Sequence, residues 1–191
     1  MEPGIDNTVA LSANLGGDRR WVGYRARKNS SLLELSREQH YDPGDYWEPV
    51  YADQTRRLIL EPEEFYLLTA IEGIRIQSDY AAELTAYDPS SGELRTHYAG
   101  FFDPGFGFGK HGSLPGVQPV MEVRAHDVPF MIEHGQKVCT LTFEKMLEPP
   151  EKLYGAEIGS SYQGHGLILS KHFLPETTHW QMPLFEAPGN H

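Results

Sequence analysis

Glycine and proline set the limits on what this chain can become. Its 19 glycines and 14 prolines fall between short apolar runs, and frequent punctuation of that kind favours many strands and turns over long helices. Val9, Leu11 and Ala13 alternate with polar or small neighbours before the Gly16-Gly17 break. Leu58 to Leu60, Phe65 to Ile71, Gly73 to Ile76, Tyr80 to Tyr87, Glu93 to Phe102, Val120 to Ala125 and Lys137 to Lys145 repeat the theme, with Glu133 to Gln136 as the turn before the last run. The expectation is an all-β domain with few short helices, arranged as a jelly roll or distorted barrel.

The chain of 191 residues is long enough to bury a core, and it contains no internal repeat. Its net charge of -11 argues against bare nucleic acid or an anionic membrane as a partner, while a small anion can still be met by one local cationic cluster or a divalent ion. The single cysteine, Cys139, excludes an internal disulfide and any multi-cysteine zinc site; within Val138 to Phe143 it reads as a small core residue. No apolar run is long enough to span a membrane and the first residues do not open a signal peptide, so the cytoplasm is the default compartment.

Several segments carry local expectations. Arg19, Arg20, Arg25, Arg27 and Lys28 form the densest positive cluster, open to two explanations: a phosphate site or a salt-paired edge strand, the latter being commoner. Ser30 to Gln39 reads as one short helix with Leu32, Leu33 and Leu35 on its apolar side, and Tyr41 to Pro49 reads as a loop. Residues 104–119, with five glycines and three prolines, read as a mobile loop. Nine histidines form no His-x-His or His-Glu-x-x-His pattern, so no protein-held metal is expected.

Two carboxylates stand out. An aromatic run ends in Phe101-Phe102-Asp103-Pro104-Gly105, where proline and glycine stop the strand at Asp103. Glu122 lies inside Val120-Met121-Glu122-Val123-Arg124, sharing one strand face with Val120 and Arg124 while Met121, Val123 and Ala125 share the other. Taken singly, Asp103 is a turn cap and Glu122 a solvated residue paired with Arg124; taken together they form a candidate site.

These segments resemble a known family. Ala99 to Phe106, Val120 to Val123, His134 to Lys137, and Tyr154 followed by Ser161-Tyr162-Gln163-Gly164-His165-Gly166 stand in the order found in dCTP deaminases. The details look closest to the carboxyl-terminal half of the longer, tandem form of that family. The resemblance implies a dUTPase-like distorted jelly roll (β-clip) over residues 1–173 with a tail over 174–191. It implies assembly as a homotrimer, or a pseudo-trimer with a related domain. The implied activity is hydrolytic deamination of dCTP to dUTP and ammonia without zinc, with magnesium carried by the nucleotide triphosphate. A zinc deaminase needs more cysteines than this chain has.

Under the resemblance Glu122 is general base and acid, its pKa raised by partial burial, and Arg95 orients water. Ser90 and Ser91 hold water or phosphate, Ala99 offers its carbonyl, and Asp103 binds the deoxyribose hydroxyl. Gln136 contacts the nucleotide or stabilises its own turn, and Tyr154, Tyr162, Gln163 and His165 belong to the segment that covers the substrate. The sequence departs from the family pattern at Ser161, where a phosphate-binding lysine is usual, at His165, where a glutamine is usual, and at Pro89, where an arginine is usual. Two other functions remain open: a dUTP pyrophosphatase, and a catalytically silent domain of the same fold that binds nucleotide or completes an assembly.

Overall fold

Alternating apolar and polar residues pair here into three antiparallel sheets. The computed structural model describes residues 7–16, 21–86, 94–96, 100–109, 112–155, 158–160, 162 and 166–175. The first sheet orders β1 (Thr8–Ser12), β11 (Lys137–Lys145), β6 (Tyr80–Ala86) and β8 (Phe101–Phe102) side by side. The second pairs β10 (Phe130–Glu133) with β4 (Arg57–Leu60). The third orders β3 (Trp47–Val50), β2 (Gly23–Ala26), β5 (Phe65–Thr69), β9 (Val120–Ala125) and β7 (Leu94–Thr96). The fold is all-β, as the strand pattern implied, and dUTPase-like, as the family resemblance implied.

The period of two decides which residues face the core. Val9, Leu11, Leu84, Cys139 and Leu141 turn inward from the four-stranded sheet, and Tyr66, Leu68, Met121, Val123 and Ala125 from the five-stranded one. Cys139 and Met121 meet across the core, the thiol lying 3.6 Å from the thioether sulfur. Cys139 is thus the small core residue its context suggested, and burial pushes its thiol up to about 12.

Four local expectations are corrected. Ser30 to Gln39 is not a helix. Its end is drawn to the carboxyl-terminal segment instead: the Gln39 amide donates to the Lys171 carbonyl and that of the following His40 to the His172 carbonyl, both at 2.9 Å, while Leu32 is left 94% exposed. The Tyr41 to Pro49 segment is not all loop; after a 3-10 turn at Pro43–Asp45 it forms β3, where Pro49 is tolerated because β3 is the sheet's edge. Consequently β2 is not an edge strand but pairs on both sides, while Arg27 with Glu48 at 2.8 Å, Arg25 with the same carboxylate, and Lys28 with Glu64 at 2.7 Å show the salt pairing. Arg19 and Arg20 lie outside the described residues.

The fourth correction concerns the glycine-rich stretch after Asp103. It is packed at both ends, where Phe106 is 8% exposed and Val117 5%, while Ser113 and Pro115 between them are exposed. In place of a separate strand at Gly73 to Ile76, Ile74 exchanges backbone hydrogen bonds with Val117, and Ile76 receives the Gly105 amide and donates to Phe106. Residues 110 and 111, and the tail beyond Pro175, lie outside the described residues.

Candidate active site

The strand carrying Glu122 turns two faces to two environments. Met121 and Val123 are each 1% exposed in the core, whereas Glu122 between them points outward from the five-stranded sheet. The partial burial expected of Glu122 is therefore absent: its apolar neighbours belong to the opposite face and leave the carboxylate exposed. On that outer face Glu122 stands directly opposite Leu67, and Phe65 lies opposite Arg124. Trp47 of the edge strand lies beside Phe65, with ring centroids 6.2 Å apart.

Asp103 reaches the same region from another direction. The strand Phe101–Phe102 stops at Asp103, and Pro104-Gly105-Phe106 folds back on the carboxyl-terminal segment. Tyr154 donates its amide to the Pro104 carbonyl at 2.8 Å, and the Phe106 and Tyr154 rings meet at 5.4 Å. Burial pushes the Tyr154 phenol above its ordinary range, against hydrogen bonds from the Tyr162 backbone and the Ser160 side chain that pull it down, while the charge of the Asp103 carboxylate pushes it up.

Between these elements lies a cavity of about 460 Å³ lined by Asp103, Glu122, Tyr154 and Tyr162. Trp47, Phe65 and Leu67 form an apolar wall, and Ile168, Leu169 and Phe173 cross from the carboxyl-terminal side. The structure thus brings four of the sequence-predicted site residues to one cavity. Gln136 is not among its lining residues. Its amide oxygen accepts the Glu133 N–H at 3.0 Å and its carbonyl accepts the Ala13 N–H at 2.8 Å, so it braces its own turn. Arg95 lies on β7 as the register partner of Arg124. Ser90, Ser91, Ala99, Gln163 and His165 lie outside the described residues.

Two kinds of lining residue escaped the sequence. Gln118 lines the cavity and anchors its amide nitrogen on the Ile71 carbonyl at 3.2 Å. Extending the alternation backward from Glu122 through Val120 would have found it. Trp47, Ile168 and Phe173 gave no such signal, since they come to the site from distant parts of the chain. The buried Trp47 indole N–H has no hydrogen-bond partner among the described residues.

A family model described as "2'-deoxycytidine 5'-triphosphate deaminase (DCD), C-terminal domain" matches residues 1–173. The chain belongs to the dCTP deaminase family. Among relatives of the family, a dCTP deaminase of Natronomonas pharaonis is 30% identical over 142 residues, covering 72% of this chain and 67% of that one. A "dCTP deaminase, dUMP-forming" of Methanosphaera stadtmanae is 31% identical over 143 residues, covering 69% of this chain and 68% of its own. The crystal structure of 2'-deoxycytidine 5'-triphosphate deaminase from Agrobacterium tumefaciens superposes with a TM-score of 0.67 at 46% identity over 75% of this chain. That superposition spans only 42% of the Agrobacterium chain, less than half of its length.

The cavity offers this dCTP deaminase relative two carboxylates, two phenols and aromatic walls. Among the described residues its charged lining residues are Asp103 and Glu122, both acidic. The one described cluster with metal-ligand character, Glu63, His126 and Asp127, is not part of the cavity lining.

Proposed function

We propose that this chain provides a hydrolytic dCTP deaminase site, with Glu122 as the proton shuttle. The observation that supports it most is that Glu122 and Asp103 line one cavity in a chain of this family. Glu122 takes a proton from water, and the resulting hydroxide attacks the amino-bearing ring carbon. The ring nitrogen beside that carbon takes up the proton; Glu122 then carries the proton of the added hydroxyl to the amino group, and the carbon–nitrogen bond breaks as the carbonyl forms. The balance is dCTP plus water giving dUTP plus ammonia, with no electron transfer.

Asp103 holds the deoxyribose hydroxyl in this proposal, and Tyr154 and Tyr162 cover the nucleotide. Arg95 orients the water, Ser90 and Ser91 hold water or phosphate, Ala99 offers its carbonyl, and Gln163 and His165 close over the substrate. Magnesium arrives on the triphosphate as part of the substrate. Because Glu122 is exposed in the single chain, the proposal draws dryness from two covers: the bound nucleotide and a neighbouring subunit or related domain in a trimer or pseudo-trimer. The site is proposed to work in the cytoplasm.

A second reading is favoured by the name of the Methanosphaera relative, which forms dUMP. In that reading a second water at the same cavity hydrolyses the product dUTP to dUMP and pyrophosphate. Incubating the chain with dCTP and magnesium and separating the nucleotides decides between them. The first reading predicts dUTP with ammonia, and the second predicts dUMP, ammonia and pyrophosphate. Intact dCTP from a folded protein would favour a silent domain.

A further inference from the structure

Among the described residues the charged side chains lining the cavity are both acidic, and such a lining poorly fits a polyanion unless a cation stands at its edge. Arg124 stands there. It follows Glu122 by two positions on the same strand face, and it lies directly across from Phe65 on β5. Both of those neighbours line the cavity.

Arg124 is also uncommitted to a carboxylate. Among the described residues it enters no ion pair; its guanidinium rests 5.6 Å above the Phe65 ring. Such a contact is a weak hold on an exposed side chain and leaves the guanidinium's edge donors available. Three other described cations are already engaged. Lys171, next to the lining residue Ser170, is bonded to Glu38 at 2.6 Å, and Arg25 and Arg27 share Glu48.

We propose that Arg124 is a substrate-binding residue that swings from the Phe65 ring onto the phosphate chain of the nucleotide. The planar guanidinium suits phosphate oxygens through paired N–H donors, and its charge offsets the two carboxylates. The idea rests on the nucleotide reading of the cavity and adds a residue to it. It competes with a simpler role in which Arg124 only neutralises Glu122.

The test compares affinity for dCTP with affinity for deoxycytidine, by titration and displacement with magnesium, in the wild type, Arg124→Gln and Arg124→Lys. A phosphate contact predicts that Arg124→Gln weakens dCTP binding about tenfold or more, leaving deoxycytidine within about twofold. Arg124→Lys should keep most of the wild-type ratio, since ammonium binds phosphate as a point charge. An unchanged ratio in Arg124→Gln overturns the proposal, and so does an equal loss for both ligands. A wild type that binds dCTP but releases no ammonia contradicts the deaminase reading alone, and the affinity ratio still decides for Arg124. A wild type that does not bind dCTP overturns both.

Discussion

The Tyr154 amide donates to the Pro104 carbonyl at 2.8 Å, which fastens the Asp-Pro-Gly turn to the carboxyl-terminal segment. The bond ties the turn that carries Asp103 to the backbone of Tyr154, and both side chains line the cavity. Gly105 makes the contact possible: its φ is +97°, and an added Cβ would lie 3.0 Å from both the Leu153 Cβ and the Tyr154 carbonyl oxygen. Gly105→Ala is expected to cost about 2 kcal/mol of stability, from the left-handed backbone and the crowding together. Its KM for dCTP should rise, because Asp103 and Tyr154 are displaced together. Chemical denaturation beside steady-state kinetics checks both.

Gly107 is a stricter position. With φ at +63°, an added Cβ would fall 2.2 Å from the Ile74 carbonyl oxygen, a backbone atom that cannot rotate away. Gly107→Ala should lower the melting temperature more than Gly105→Ala does, by about 3 kcal/mol or more in stability. Thermal unfolding of the two variants side by side gives the order.

The carboxyl-terminal crossing should hold by packing rather than by charge. Phe173 is buried and meets Tyr46 at 5.5 Å, while Lys171 and Glu38 are both exposed. Phe173→Ala is expected to cost about 3 kcal/mol and Lys171→Ala less than about 1 kcal/mol. Urea denaturation separates the two.

Cys139 makes a pH-dependent prediction. Burial raises its thiol from an ordinary value of 9.0 to about 12, so the folded state holds the proton more tightly than the unfolded chain. Its contribution to stability is fully present below pH about 9 and is lost as pH rises toward about 12. Stability measured between those limits should fall more steeply for wild type than for Cys139→Ala, even though the variant starts lower because of its cavity. A thiol reagent at pH 8 should label Cys139 only after unfolding.

Much of this was legible because strand alternation is a local signal. The inward positions of Leu11, Met121 and Val123 follow from period two, and so does the outward position of Glu122. Asp103 was legible because Pro104 and Gly105 must end a strand. The burial of Glu122 was misjudged because an apolar neighbourhood in sequence is not one in space: Met121 and Val123 face away from it. Ser30 to Gln39 looked helical from three leucines, but the backbone partners of Gln39 and the following His40, at Lys171 and His172, are more than a hundred residues distant. Local propensity carries no information about such partners. Pairing at that distance also explains why Trp47 and Phe173 were missed at the cavity wall. The docked glycine stretch was missed for the same reason, since its order depends on Ile74 and Ile76.

If Glu122 moves the proton in a deamination, ammonia release depends on its carboxylate. The measurement is the initial rate of ammonia formation from dCTP with magnesium for wild type and Glu122→Gln, with dCTP affinity recorded for both. The wild type should release one ammonia per dCTP consumed. The rate should be about 10²- to 10⁴-fold lower in Glu122→Gln, with nucleotide binding retained. A Glu122→Gln variant that releases ammonia at the wild-type rate would contradict the account, as would a folded wild type that binds dCTP and releases none.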